Sequence, residues 1–463
     1  MPTLKLPDNP PTRPLLHQIQ WLTQPLEVLE TYAQQYGDIF TFPIGIGSKP
    51  TVLISNPQGI QEIFSASPNQ LDSGEAAGIK LPLLGQQSLI ALSGKRHQRQ
   101  RKLLTPPFHG ERMLAYGQLI HDIILEVTSR WKIGEPFSVR SSMQEISFEV
   151  ILKAVFGLEE GSRYAQLKEL LTARLNPKLP LLQAATLLFP ALQQDLGPWS
   201  PWGHFLRQRQ QIDELIYAEI AERRQQLDLS RTDILSLMMS ARDEGGEAMS
   251  DVELRDELIT LLVAGHETTA TSLAWAFYWI HYLPEVRQKL LQELDSLGGN
   301  SDPNTIFRLP YLNAVCQETL RIYPVTLFAF PRVVKSSLQI MGYQFEPGMI
   351  VSPCIYLTHH REDLYPEPKQ FKPERFLERQ FLPYEYLPFG GGNRRCLGMA
   401  FALFEMKLVL AKVLAHWHME LVGSKPVQPV RKGLLMTPEK GVPMVIKGKR
   451  FNQRILKMAS NSA

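Results

Sequence analysis

The stretch from Met249 to Leu283, MSDVELRDELITLLVAGHETTATSLAWAFYWIHYL, is the feature that most constrains the fold of this chain. Its apolar residues recur with helical periodicity along its whole length, and a helix that long spans roughly 50 Å. Ser250 and Glu253 form a Ser-x-x-Glu capping box, which predicts that the helix begins there. His266 and Glu267 lie near its middle, where charged groups are costly in lipid. The stretch therefore predicts a buried helix of a globular protein rather than a membrane span.

The rest of the chain is predicted to be mainly helical with small β-sheets, an α+β fold. Pro284 predicts that the long helix ends or kinks there. The periodicity is mostly helical from about Pro57 to Leu297, whereas DIFTFPIG and PTVLIS alternate like paired strands. After about Val325, short strands and proline-rich turns precede a final helical stretch, AFALFEMKLVLAKVLAHW.

We expect residues 1–463 to form a single domain, because no linker is long enough to separate two enzymes. Residues 1–50 combine a proline-rich lead with a first helix near Leu26–Tyr36. Residues 250–283 form the long central helix, and residues 388–417 form a glycine-rich loop and the helix that follows it.

Composition excludes several classes of function. The net charge of +3 gives no case for nucleic-acid binding. The three cysteines, Cys316, Cys354 and Cys396, are far apart, which excludes a CxxC zinc motif and suits a reducing compartment. The first residues lack the apolar run of a signal peptide or membrane anchor, so we expect a cytoplasmic protein without a transmembrane anchor.

Cys396 lies in PFGGGNRRCLGMA, residues 388–400, directly before a long apolar helix. A helix N-terminus and the neighbouring Arg394 and Arg395 are expected to lower the thiol pKa and favour a thiolate, which is a nucleophile or a metal ligand. The three consecutive glycines permit positive φ and close approach of the backbone to a flat, bulky group, and Gly398 permits the same on the other side. A structural cysteine or a catalytic nucleophile would also suit a lone cysteine. Neither explains the full spacing Phe389-x-x-Gly392-x-Arg394-x-Cys396-x-Gly398.

That spacing resembles the haem-ligand loop of the cytochrome P-450 family, in which a cysteine thiolate is the axial iron ligand. YGDIF, AGHETT, ETLR, PERF and the cysteine loop occur in the family's order over nearly the whole chain. His97 stands where tryptophan is commoner, and the absence of a membrane leader points to a soluble bacterial type, similar to fatty-acid hydroxylases. The resemblance implies a P-450 fold that encloses haem b, with Cys396 as the axial iron ligand and O2 as co-substrate.

The resemblance also implies roles for residues outside the loop. Glu267 and Thr268 would form an acid–alcohol pair that supports proton delivery, although AGHETT alone could be a polar helix face. The residues implied to hold the haem are Cys396, His97, Arg101, Arg332, Arg394, Phe389 and Gly398. The residues implied to line the substrate pocket are Ala264, Val325, Phe328, Phe330 and Leu435.

Two weaker motifs gain meaning only from this context. GKRHQRQRKLL, which carries His97 and Arg101, could be a solvated basic helix face. Glu-x-x-Arg is also a weak pattern, since Glu160 and Arg163 repeat it in a predicted loop. The resemblance implies that Glu318, Arg321 and Arg375 form a buried, structural ion network near the haem.

The implied function is a haem monooxygenase that inserts one oxygen atom from O2 into a C–H bond of a lipophilic substrate, a fatty acid or terpenoid. The chain lacks a dinucleotide or flavin fingerprint, so electrons would come from a ferredoxin or flavodoxin with its reductase. The basic residues predicted to dock this carrier, or alternatively to form only solvated charge, are Arg96, Arg99, Lys102, Arg395 and Lys407.

Other interpretations stay open at this point. The proline-bearing, apolar region Pro177–Trp202 could form a mobile roof over the pocket and contact lipid at its edge. A haem-thiolate hydroperoxide isomerase or peroxygenase would need no reductase, but such relatives often lack the acid–alcohol pair. A non-enzymatic haem sensor or electron carrier would bind no organic ligand, and a helical protein without a cofactor would make every motif a coincidence.

Overall fold

The computed structural model describes residues 14–42, 51–74, 83–108, 112–158, 161–175, 192–226, 228, 230–298 and 302–450. Most of the region predicted to roof the pocket, residues 177–191 of Pro177–Trp202, therefore lies outside the described residues.

Helices dominate the described chain. They are α1 (Pro14–Thr23), α2 (Pro25–Tyr36), α3 (Pro57–Ser65), α4 (Gly94–Leu104), α5 (Arg112–Ser129), α6 (Val139–Phe156), α7 (Ser162–Leu175), α8 (Pro201–Gln225), α9 (Ile234–Ser240), α10 (Asp251–Tyr282), α11 (Pro284–Ser296), α12 (Pro303–Phe307), α13 (Pro310–Ile322), α14 (Ile355–His359), α15 (Arg375–Glu378) and α16 (Met399–His416). The prediction of a mainly helical chain with small sheets is confirmed.

The strands form small sheets at the edge of the helices. They are β1 (Ile39–Phe42), β2 (Thr51–Ile54), β3 (Leu71–Asp72), β4 (Pro136–Ser138), β5 (Arg332–Val334), β6 (Leu338–Ile340), β7 (Tyr343–Phe345), β8 (Ile350–Pro353), β9 (Trp417–Leu421), β10 (Pro429–Lys432), β11 (Leu435–Pro438) and β12 (Pro443–Lys449). The largest sheet has the order β1-β2-β8-β5-β3, in which β2 and β8 are parallel and the other pairs antiparallel. The others are β4-β12-β9, β6-β7 and β10-β11.

The central helix α10 begins and ends as its sequence predicts. The Ser250 side chain accepts from the Glu253 amide at 3.3 Å, and the Glu253 carboxylate accepts from the Ser250 amide at 2.8 Å, so the capping box is complete. Pro284 opens the next helix instead of continuing this one. Because α10 is buried over most of its length and packs against α6, α13, α16 and β11, it is the axis of the largest apolar core.

The N-terminal predictions hold with one addition. β1 and β2 pair antiparallel as the alternating pattern predicts, and α2 matches the expected first helix. The sequence pattern missed α1, whose Trp21 packs edge-on against Phe42, with ring centroids 4.9 Å apart. That tertiary contact, absent from local sequence, holds α1 against the sheet.

The predicted loop around Arg163 is wrong. Arg163 lies in α7, and its guanidinium pairs with Glu219 and Glu222 of α8, so these cross-helix ion pairs favour helix at this position. Glu160 lies outside the described residues. Within the described ranges, no helix combines the length and the apolar character that crossing a membrane requires.

Candidate functional site

The cysteine loop is a tight turn packed against α3. The Cys396 amide donates to the Phe389 carbonyl at 2.9 Å, which closes the loop just before α16. Gly392 has φ +62°, and a Cβ there would lie 3.0 Å from the Phe64 carbonyl oxygen, while a Cβ on Gly391 would collide with the Phe64 ring. Packing against Phe64 is therefore one reason for glycine at these two positions, and the predicted positive φ is confirmed at Gly390 and Gly392.

Gly398 is the N-cap residue of α16, with φ −83°. The predicted need for positive φ is therefore wrong at this position. A Cβ on Gly398 would meet nothing within 4 Å, so the loop is open on this side. The open side is the one on which a flat group could approach the loop.

The thiol of Cys396 has accessible surface yet lies deep among protein atoms. Burial raises its pKa, and a hydrogen bond from the Gly398 amide and the charges of Arg101 and Arg395 lower it only in part. The expected lowering of the pKa is therefore wrong for the protein by itself, because desolvation outweighs the helix terminus and the arginines. A bound metal cation would be needed to keep this sulfur as a thiolate at neutral pH.

The middle of α10 is exposed on one side although its flanks are buried. Ala264 is exposed and Thr268 half-buried, whereas Leu262 and His266 are buried. The Thr268 hydroxyl donates to the Ala264 carbonyl at 2.6 Å, which leaves its oxygen able to accept a hydrogen bond. This face of α10 therefore has accessible surface in the middle of an otherwise buried helix.

Hydrogen bonds draw other predicted pocket residues toward this helix. The Met436 amide donates to the Val325 carbonyl at 2.8 Å, and the Met436 carbonyl accepts from Trp275 of α10 at 3.2 Å. Leu435, adjacent to Met436, is therefore held beside α10 together with Val325. We give the name central opening to the pocket that the sequence predicts at Ala264, Val325, Phe330 and Leu435, between Thr268 and Cys396.

The two predicted phenylalanines of the pocket differ in their surroundings. The Phe328 ring stacks on Trp21 at 5.8 Å and lies 6.3 Å from Phe42, so it packs toward α1 and β1. The Phe330 ring lies 5.5 Å from the Arg394 guanidinium, on the side of the cysteine loop. Phe330 is thus the better placed of the two to contact a group bound at Cys396.

Four basic side chains gather next to the cysteine loop. Burial and then the positive charges of Arg394, Arg101 and Arg332 lower the pKa of His97 to about 3. Burial and then Arg394 lower the pKa of Arg332 to about 9, and burial lowers that of Arg394 to about 10, with Asp72 opposing both shifts. These shifts mark a buried concentration of positive potential, which an anionic ligand would relieve.

The residues present fit a haem. The Nε2 atom of the buried His97 and the Nε atom of Arg394 have no hydrogen-bond partner among the described residues. Two propionates would satisfy such donors through charge-assisted hydrogen bonds. The accessible Cys396 sulfur and the open side of Gly398 suit an iron macrocycle beside them.

Arg332 and Arg394 are also held by the backbone. Arg332 donates to the Phe330 carbonyl at 2.5 Å and to the Gly391 carbonyl at 3.2 Å. Arg394 donates to the Leu89 carbonyl at 2.9 Å and also to the Leu92 carbonyl. Both guanidinium groups are therefore fixed before any ligand binds, which lowers the entropy cost of binding one.

Glu267 and Thr268 point to different neighbours. The Glu267 carboxylate pairs with Arg140 and accepts from the Gln144 amide at 2.6 Å, so it is held against α6. Gly265 lets α10 approach α6, since a Cβ there would lie 2.6 Å from the Ile151 side chain. The sequence did not reveal Arg140, Gln144 or Ile151, because each is more than a hundred residues away in the chain.

The predicted ion network is present in the structure as a buried cluster. Arg321 and Glu318 are fully buried and paired by two hydrogen bonds of 2.6 and 2.8 Å. Arg375 reaches Glu318 at 3.2 Å. Arg321 also donates to the carbonyls of His359 and Pro368, both at 2.8 Å, so this cluster ties the end of α13 to the segment around α14.

The residues predicted to form a basic docking patch differ in their surroundings. Arg99 pairs with Asp243 and Glu253, and Lys102 pairs with Glu244, so their charges are locally compensated. The same compensation was invisible in the sequence, since the acids lie some 140 residues further along. Arg96 donates a hydrogen bond to the Gln87 side chain, and Arg395 is exposed. Lys407 is buried, and its ammonium group contacts Phe307.

Comparisons with known proteins agree with this geometry. The family model described as Cytochrome P450 matches residues 7–444. Cytochrome P450 135B1 of Mycobacterium tuberculosis is 33% identical over 97% of this chain and 93% of its own length. Cytochrome P450 138 of Mycobacterium bovis is 33% identical over 96% and 97%. Among solved structures, "Retinoic acid bound cyanobacterial CYP120A1" is similar at a TM-score of 0.79 and 24% identity, covering 97% of this chain and 100% of that one.

Proposed function

The chain belongs to the cytochrome P450 family, and from this premise we propose that it hydroxylates C–H bonds of a lipophilic substrate, a fatty acid or terpenoid. Family membership makes it a haem-thiolate monooxygenase that binds haem b and takes O2 as co-substrate. The substrate class and the electron donor, a ferredoxin or flavodoxin with its reductase, are our proposals. So are the cytoplasmic location and a peripheral lipid contact near Pro177–Trp202.

The observation that carries the substrate proposal is the chemistry of the central opening. Ala264, Val325, Phe330 and Leu435 offer apolar surface, and the polar group beside them is the Thr268 hydroxyl. Such a lining favours a mainly hydrocarbon ligand, because apolar area removed from water contributes roughly 25 cal/mol per Å². Retinoic acid is a ligand of the similar cyanobacterial protein, and at 24% identity it only suggests a compound to test.

Each residue of the site then has a proposed task. When bound, the haem would activate O2, and O2 would supply the oxygen atom that is transferred. Cys396 would provide the axial thiolate, and His97, Arg101, Arg332 and Arg394 would hold the propionates. Phe389 and Gly398 would flank the macrocycle at the loop.

Thr268 and Glu267 are proposed to manage protons. The Thr268 hydroxyl, oriented by the Ala264 carbonyl, can hold a proton at the edge of the central opening. Glu267 would supply protons from the α6 side, where Arg140 and Gln144 hold its carboxylate. The apolar lining keeps bulk water from these groups.

A ligand titration tests the substrate proposal. We expect graded fatty acids, terpenes or retinoic acid to shift the ferric Soret band toward the high-spin position. Ala264→Phe, which fills the opening, should weaken that binding roughly 10-fold or more, since overpacking costs about 1–3 kcal/mol. Val252→Phe, on the exposed first turn of the same helix, is the matched control. A shift produced by polar compounds alone would refute the lipophilic proposal.

A turnover assay tests the proton role and the reductase-free alternative. With O2, ferredoxin and reductase, Thr268→Ala should lower the rate of product formation by roughly 100-fold or more, because a positioned proton-transfer group typically contributes about 10²–10⁴-fold. Thr271→Val is the control, since that buried hydroxyl of α10 has no hydrogen-bond partner among the described residues. Product formed from peroxide alone at the full rate, with none from O2 and electrons, would favour a peroxygenase instead.

A further inference from the structure

Glu257 is a fully buried carboxyl group of α10 that the proposed reaction does not use. It lies between two neighbouring elements, α4 and the segment of residues 83–93 that precedes it. One carboxyl oxygen, Oε1, accepts from the Leu89 amide at 2.7 Å and from the Gln100 side chain at 3.2 Å. The other oxygen, Oε2, has no hydrogen-bond partner among the described residues.

Leu89 links this carboxyl group to the haem edge. Its amide donates to Glu257, and its carbonyl accepts from Arg394 at 2.9 Å. A single residue thus connects α10 to an arginine of the cysteine loop, two positions before Cys396. The orientation of the Arg394 guanidinium depends on where the carbonyls of Leu89 and Leu92 are held, and Leu89 is the one of the two that contacts Glu257.

Neighbouring bonds fix the same segment to α10. The Gln87 amide donates to Asp256 at 2.8 Å, and the hydroxyls of Thr260 and Ser88 lie 2.7 Å apart. These contacts flank Leu89 on the chain, but neither reaches Arg394. Glu257 is therefore the residue of this group that acts on the arginine through one shared residue.

The charges around Glu257 favour its neutral form. Its pKa is raised to about 8, chiefly by burial; hydrogen bonds from Gln100 of α4 and Leu89 of the 83–93 segment oppose the shift, and the nearby Asp256 and Glu253 of its own helix contribute a smaller increase. The side chains of those two partners are uncharged. At neutral pH the carboxyl is thus protonated, and above about pH 8 it becomes a buried negative charge.

We propose that Glu257 is a positioning residue for the haem: it fixes the Leu89 carbonyl and so holds the Arg394 guanidinium against a propionate. This inference rests on the proposed propionate role of Arg394. Glu257 also accepts from Gln100 of α4, the helix that carries His97 and Arg101. The Glu257 carboxyl group therefore contacts both α4 and the 83–93 segment from α10.

The first test compares Glu257→Gln with Glu257→Leu in the haem-loaded protein. The glutamine amide oxygen can accept the same two N–H groups, and its amide group takes the place of an oxygen that already lacks a partner. We expect Glu257→Leu to speed haem transfer to apomyoglobin at least 10-fold, while Glu257→Gln stays within about twofold of wild type. Equal rates in all three proteins would overturn the proposal.

A double-variant comparison tests the route through Arg394. Arg394→Leu should also speed haem loss, and adding Glu257→Leu to it should cause little further change, because the two residues act in one chain of contacts. Fully additive effects would show that Glu257 acts elsewhere and would refute the positioning role. The carbon monoxide spectrum of the wild type judges the proposed function separately.

A pH titration avoids any variant that fails to fold. The midpoint potential of the wild type should fall between about pH 7 and 9, since a new negative charge at Glu257 stabilises ferric over ferrous iron. Glu257→Gln cannot ionise, so its slope over that range should be at most half as steep. Identical slopes in the two proteins would contradict the placement of Glu257 near the haem edge.

Discussion

Cys396→His protein, reduced with dithionite under carbon monoxide, is expected to lose completely the strongly red-shifted Soret band of a thiolate-ligated haem. The thiolate donates electron density to the iron, and an imidazole cannot replace that donation. No other cysteine can substitute, because Cys316 and Cys354 are buried and burial raises the pKa of each to about 12. The measurement is the difference spectrum of the two proteins at equal haem content.

Cys354→Ala is the matched control, since it removes a buried thiol whose contact is the Leu327 carbonyl. It should keep the red-shifted band. A wild-type protein that binds no haem, or whose band is unshifted and unaffected by Cys396→His, would mean that Cys396 is not the axial ligand.

Arg321→Leu is expected to lower the free energy of unfolding by about 3–5 kcal/mol, as typical for breaking a buried ion pair. The substitution leaves the fully buried Glu318 carboxylate with Arg375 as its remaining cationic partner, and it strips the carbonyls of His359 and Pro368 of their donor. Urea unfolding followed by circular dichroism checks the value.

Two further variants interpret that result. Lys102→Ala removes one side of an exposed pair and should leave the unfolding midpoint within experimental error, because surface pairs are well screened. Replacing Glu318 and Arg321 together by leucine should not restore wild-type stability, since the two backbone carbonyls remain unpaired. A single Arg321→Leu variant as stable as wild type would show that the cluster contributes nothing to folding.

Local signals predicted the features that depend on neighbouring residues. The capping box at Ser250 and Glu253, the break at Pro284 and the pairing of β1 with β2 follow from short-range chemistry. The cysteine loop was equally visible, since its spacing is confined to ten residues. Motifs of this kind identified the family, which the comparisons confirm.

Contacts between distant residues escaped prediction. From the sequence, Arg99 is predicted to be a solvated charge on a helix face. In the structure it forms ion pairs with Asp243 and Glu253. The sequence likewise gives no sign that the Glu267 carboxylate is paired with Arg140. Desolvation also depends on distant parts of the chain. The helix terminus and Arg395 lie next to Cys396 in the sequence, whereas the burial that raises the pKa of its thiol results from the whole fold.

The contacts of Arg394 also determine when during synthesis of the chain its hydrogen bonds can form. Its guanidinium binds Leu89 and Leu92, which leave the ribosome 305 and 302 residues earlier. At about 5–20 residues per second, those carbonyls wait roughly 15–60 s for their donor. The group of side chains proposed to hold the haem propionates is therefore complete only after Arg394 has been synthesised, long after Leu89 and Leu92.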